Sequence, residues 1–188
     1  ATAGSALLRP LSGQPVEQAR ASDIAWLGYS YLAFRLIGVL RDRMTSARSL
    51  RPYGLGEFLT YALFAPTLLS GPIDRADRFL KEWRAPWSPS VADIGEGARR
   101  ILIGLVKKLA VADTLALIAL NAENAAQLRP GVWVWVMLYA YAFRIYFDFG
   151  GYSDIAIGLG RAVGVKLPEN FDRPYLKPNL TQFWSSWH

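Results

Sequence analysis

The chain has 188 residues, of which 52% are hydrophobic, 13% aromatic and 19% charged, with no cysteine and a single histidine. So apolar a chain can bury a core, which excludes intrinsic disorder; the lack of cysteine excludes disulfide scaffolds, iron–sulfur sites and thiol nucleophiles, and one histidine excludes a His-cluster metal site, so no metal ligand is assigned. The net charge of +6 suits an anionic partner, either nucleic acid or membrane phospholipid.

The placement of the cations separates those two partners. They fall in short blocks between apolar runs: Arg41, Arg43, Arg48 and Arg51, then Arg99, Arg100, Lys107 and Lys108. A nucleic-acid binder concentrates them in a stripe, whereas the loops of membrane proteins carry them in this way. A lipid bilayer is therefore the expected partner, and nucleic acid is not. A mean hydropathy of only +0.15 is nevertheless low for a protein made wholly of membrane spans.

In chain order, residues 1–23 read as a loop or partial helix and residues 24–188 as one membrane domain. Crossing a bilayer takes about 20 mostly apolar helical residues, and four stretches compete for that role. Ile24–Leu40 is aromatic-rich and carries Arg35; Leu55–Ile73 contains Pro66 and then Ser70-Gly71-Pro72. Ile101–Leu120 is interrupted by Lys107, Lys108 and Asp113, and Val132–Phe149 by Arg144 and Asp148. The alternation Val132–Val136 is not a strand, because the apolar run continues too far and no hairpin signal follows; Trp133 and Trp135 resemble an interfacial belt instead.

The connectors are punctuated by proline. Arg84–Ser90 is turn-rich and ends at a helix start. Residues 167–179 hold Pro168, Pro174 and Pro178, so no regular helix survives there. Asn179 then caps a helix that opens at Leu180 and runs on to His188. No initiator Met or signal peptide stands at the start, so the chain is expected to be an internal stretch of a larger protein. Basic residues 41–53 are expected to be cytoplasmic and residues 120–131 to lie on the other face. If residues 74–96 share that second face, Ile101–Leu120 is re-entrant or interfacial, with Lys107 and Lys108 snorkelling to headgroups. The expected fold is all-α: a polytopic membrane helical bundle with interfacial or re-entrant helices.

Ionisable residues inside apolar runs mark the places where chemistry could sit. Arg144 and Asp148 stand four apart on one helix face, as a structural ion pair or as the polar wall of a cavity; Asp154 follows them. Gly151–Ala156 only echoes a nucleophile elbow, with no strand before it. Gly160 and Gly164, with Ala156, form small-residue spacings that suit helix packing. His188 alone titrates near neutrality, with Trp184 four residues back and Ser185 three back.

The blocks Phe147–Gly158, Pro168–Tyr175 and Asn179–His188, preceded by Leu68–Ile73 and Gly104–Ala116, resemble the membrane-bound O-acyltransferase (MBOAT) family. The likeness is strongest to its bacterial branch, with the alginate O-acetyltransferases and the D-alanyl transfer proteins of teichoic acid synthesis. It implies a multi-pass enzyme of the bacterial inner (cytoplasmic) membrane that moves an acyl group onto a hydroxyl at a tunnel. His188 matches the family's first active-site polar position. The general base is then a second histidine farther along, outside this chain, which on its own should be inactive. Asp148, Tyr152, Asp154, Asn179, Trp184 and Arg144 would support the site or its tunnel. No bound cofactor is implied. The donor would be an acyl-CoA or acyl-carrier-protein thioester, and the acceptor a polysaccharide or other hydroxyl, reached directly or through a partner periplasmic acyltransferase. The rival readings are a non-enzymatic transporter, with Arg35, Arg144 and Asp148 lining a path, and a soluble basic module that binds nucleic acid.

Overall fold

The computed structural model describes residues 21–45, 52–86, 90–125 and 131–187, which are helical, with no β-strand among them. The expectations for residues 1–20, for Arg48 and Arg51, and for His188 itself lie outside the described residues.

Helix α1 (Ala21–Thr45) spans 25 residues. It turns Arg35 and Val39 inward and leaves Phe34, Ile37, Leu40 and Met44 exposed. Helix α2 (Leu55–Ala62) begins where the Gly54 N–H donates to Glu57 Oε2 at 3.2 Å. The stretch Leu55–Ile73 is not the continuous helix that a crossing segment needs. It breaks after Ala62 into a 3₁₀ turn at Ala65–Thr67 and then irregular backbone up to helix α3 (Ala76–Trp83). Pro66 is the cause: it has no N–H to give, and its ring would strike the carbonyl four residues back, that of Ala62.

The break leaves carbonyls without helical partners, and Arg35 takes them. Its guanidinium donates to Tyr61 O at 3.1 Å, Ala62 O at 3.0 Å and Thr67 O at 2.6 Å, and also to Thr67 Oγ1. A cation at a helix C-terminus also meets the negative end of the dipole. Arg35, 2% exposed, therefore holds the backbone together and does not line an open path. Around it lies the apolar core: Val39, Tyr61, Phe64, Phe79, Leu80, Ile157, Val165 and Leu167. Burying each of the larger side chains contributes about 1.5–3 kcal/mol.

Helix α4 (Val91–Leu105) starts at the expected place. Ser90 Oγ accepts from the Asp93 N–H at 3.1 Å, and Asp93 reaches back to the Ser90 N–H at 3.4 Å, a capping box. It continues through a π-helical segment, Val106–Ala112, into helix α5 (Asp113–Ala116). After helix α6 (Ala122–Ala125), the 31-residue helix α7 (Val132–Ala162) runs back antiparallel to α4. The Val132–Val136 alternation is helical, as the length of its apolar run implies. Helix α7 ends in a Schellman turn: Val165 N–H to Gly160 O at 2.8 Å and Gly164 N–H to Arg161 O at 3.1 Å, with Gly164 at φ 85°. Gly164 thus stops the helix instead of packing against another.

Residues 165–179 form no helix beyond a 3₁₀ turn at Pro174–Leu176. Asn179 Oδ1 then accepts from the Gln182 N–H at 2.8 Å and caps helix α8 (Leu180–Ser186). This helix does not run to the end of the chain. Trp187 turns extended, at φ −102° and ψ 107°, and pairs with Phe171 in an antiparallel bridge. The helix that carries Trp184 and Ser185 thus ends at Ser186. Among the described residues, no helix is long and apolar enough to cross a membrane.

Candidate functional site

The α4–α7 seam is built on glycine. A Cβ on Gly151 would meet Gly104 O at 2.7 Å and Lys108 N at 2.9 Å, and one on Gly158 would meet Gly97 O at 2.6 Å. The glycines repeat every seventh residue on both helices, so the two backbones touch along one face. This register differs from the Gly160–Gly164 spacing expected to pack helices. Gly160 instead faces Leu167 and Val165 in the returning chain.

Beside this seam runs a line of charge. Asp154, 3% exposed, is held by Arg100 from α4 and by Lys107 Nζ at 2.5 Å from the π segment. Lys108, 9% exposed, pairs with Asp148. Asp148 thus finds its cation across the seam, not at Arg144 on its own helix. The lysines expected to snorkel outward turn inward, because the carboxylates of α7 supply the charge that burial demands. The wider π turn lies against Gly151, the position where α7 has no side chain to obstruct it.

A second layer is aromatic. Phe171 stands edge-on to Tyr146, Phe149 and Trp187, with centroids 5.3, 5.2 and 5.0 Å away. Phe183 stacks on Trp187 at 5.4 Å, and the Tyr175 hydroxyl donates to Ala142 O at 3.1 Å. Burial pushes the Tyr175 phenol up, and the nearby Tyr146 adds to that. The Lys177 ammonium, 2.6 Å from Asp172, holds that carboxyl below its usual range. Such edge-to-face pairs fix side-chain orientation as well as burying area.

The site residues expected from the sequence divide between these layers. Asp148 and Asp154 lie on the charged seam. The Tyr152 hydroxyl reaches the break after α2, donating to Pro66 O at 3.4 Å. Asn179 is the exposed cap of α8; Trp184 is 65% exposed and stands edge-on to Phe183. Arg144 is partly buried on α7. The structure does not bring Asn179 and Trp184 into contact with the carboxylates. What joins the layers went unseen in the sequence: Arg100 also pairs with Glu169, and Asn170 Nδ2 donates to Ser153 Oγ at 2.7 Å. One signal was available. The seven-residue spacing of Gly97 and Gly104 matches that of Gly151 and Gly158, which sets the register and aligns Arg100, Lys107 and Lys108 with Asp154 and Asp148.

Comparison with known proteins gives this arrangement its context. The family model described as MBOAT, membrane-bound O-acyltransferase family, matches residues 5–188. The chain is 33% identical over 181 residues to a teichoic acid D-alanyltransferase of Streptococcus thermophilus, covering 93% of this chain and 43% of that protein. It is 33% identical over 162 residues to a probable alginate O-acetylase of Pseudomonas aeruginosa, covering 86% and 31%. A peptidoglycan O-acetyltransferase of Helicobacter pylori is 36% identical over 141 residues, covering 72% and 27%. The chain thus spans less than half the length of these relatives. With the match running over nearly all of its residues, the chain belongs to the membrane-bound O-acyltransferase family.

Proposed function

We propose that the protein carrying this chain is a multi-pass enzyme of the bacterial inner membrane. It transfers an acyl group, acetyl in the first instance, from a thioester to a hydroxyl of a cell-envelope polysaccharide or similar acceptor. The observation that carries this reading is the family match over residues 5–188. Relatives named for teichoic acid, alginate and peptidoglycan support a polymeric acceptor of the envelope. The apolar side chains left exposed on α1, α4 and α7 support contact with lipid.

In the reaction, a general base takes the proton of the acceptor hydroxyl as its oxygen attacks the thioester carbonyl. An ester C–O bond forms, the C–S bond breaks, and the proton leaves with the thiol. A hydrogen-bond donor at the carbonyl oxygen stabilises the charge that develops there. We assign His188 the orienting or hydrogen-bonding role and a second histidine the role of base. His188 is the only histidine of this chain, so it cannot fill both roles. The donor is an acyl-CoA or an acylated carrier protein, and the polymer is reached directly or through a partner periplasmic acyltransferase.

The test is transfer of labelled acetyl to polysaccharide hydroxyls by the intact protein in detergent or lipid. His188→Ala is expected to lower transfer by about 100-fold or more. Wild-type transfer by His188→Ala overturns the assignment.

A further inference from the structure

Four consecutive residues after α7 connect the buried charges to the chain beside His188. Glu169 pairs with Arg100, whose guanidinium also holds the buried Asp154. Asn170, itself buried, donates to Ser153, the neighbour of Asp154 on α7. Phe171 enters the aromatic layer and forms the bridge to Trp187. The Asp172 N–H donates to Ser186 O at 3.1 Å. The first two contacts therefore fix this segment to the α4–α7 seam, and the next two fix the end of α8 to this segment. Trp187 is the covalent neighbour of His188.

We propose that Glu169–Asp172 is a strap through which the α4–α7 seam sets the position of Trp187, the residue that precedes His188, and that Arg100, Glu169 and Asn170 are positioning residues for acyl transfer. The proposal rests on the assignment of His188 made above. Its physical basis is economy of contact. Helix α8 is 7 residues long, too short to hold its own geometry in isolation, and its Asn179 cap and Trp184 are exposed. Its orientation must therefore come from outside the helix. Arg100 is suited to provide it, because a planar guanidinium can hold two carboxylates in fixed directions. One of these, Asp154, lies on the long helix; the other, Glu169, lies on the strap. Transfer chemistry is sensitive to such placement, since an error of about 1 Å at a reacting group costs roughly 100-fold in rate.

The test uses the intact protein and the acetyl-transfer assay. Glu169→Gln and Arg100→Gln are each expected to lower kcat by about 10-fold or more with the acceptor KM unchanged. The double variant should fall no further than Arg100→Gln alone, because both act through one contact. Glu169 is exposed, so its substitution leaves the fold intact and keeps the test decisive if Arg100→Gln fails to fold. A strap that only stabilises the fold lowers yield or melting temperature while kcat per folded molecule stays at the wild-type value. That result overturns the proposal, as do losses that simply add. His188→Ala is measured alongside. If it abolishes transfer while Glu169→Gln keeps wild-type kcat, the strap fails and the assignment of His188 stands. If His188→Ala transfers normally, the assignment itself fails.

Discussion

Asp154 accepts two cations from a nearly solvent-free position, and that decides what its loss would do. Asp154→Asn leaves Lys107 without its counter-charge and Arg100 with only the exposed Glu169. Breaking a buried pair from one side costs about 3–5 kcal/mol; thermal or denaturant unfolding of the intact protein in detergent reads that loss. Asp74 behaves in the opposite sense. Burial is the largest influence on its carboxyl and pushes it above the ordinary range, only partly offset by Arg78 at 3.3 Å. One of its oxygens, Oδ2, is buried without a hydrogen bond. A folded-state pKa above the unfolded value means that stability is greatest below the unfolded pKa and falls as pH rises through the folded one. Asp74→Asn should therefore gain stability relative to wild type as pH is raised from about 4 to 7. Unfolding midpoints that differ by the same amount at both pH values would contradict this. Pairing at this scale was poorly legible in the sequence. Arg144 and Asp148 had the right helical spacing, but Lys108 on another helix lies closer to Asp148 once the glycines let the backbones meet.

At the scale of elements, local chemistry was legible wherever it needed no distant partner. Ser90 with Asp93, and Asn179 with Gln182, both cap helices as their side chains require. Pro66 is visible too, yet the apolar run around it conceals a break that Arg35 repairs from α1. The π segment and the early end of α8 had no local signal; one depends on Gly151 across the seam, the other on Phe171 across the strap. The seam itself can be tested by adding one methyl group. Gly151→Ala places a Cβ 2.7 Å from the Gly104 carbonyl and 2.9 Å from the Lys108 amide, and both obstacles are backbone, which cannot swing away. The helices must separate, at about 1–3 kcal/mol for overpacking of this kind. Gly150→Ala, one position earlier, meets only Phe171 Cδ2 at 3.9 Å and should stabilise the helix by about 0.5–1 kcal/mol. Opposite signs in the unfolding midpoints of these neighbouring variants are expected; equal effects would mean that α4 and α7 do not touch here.

Across the described residues, the fold turns some of the charges in and beside the apolar runs inward and leaves others, such as Asp113, exposed. Arg35, Lys108 and Asp154 are buried, while Trp133, Trp135 and Tyr139 on α7 and Phe34, Ile37 and Leu40 on α1 are exposed. A hydropathy scan counts every residue of a run alike, so it penalises each helix for charges that its neighbours neutralise. Paired charges inside the bundle beside apolar side chains exposed on its helices suit a molecule whose surroundings are lipid, because an isolated charge facing hydrocarbon is costly and a paired one in the bundle is not. The chain has no cysteine, so single labels can be placed on it by substitution. Trp135→Cys carrying a nitroxide, in an otherwise cysteine-free intact protein in vesicles, is expected to collide with dissolved oxygen more than with a water-soluble nickel chelate. An Asp172→Cys label, on the strap beside the exposed Lys177 pair, should show the reverse preference. Chelate access at both positions would place α7 in water and remove the bilayer from the proposed function. Oxygen access confined to position 135 would set the hydrocarbon against α7 and leave the strap on the aqueous side, where a polymer hydroxyl can approach.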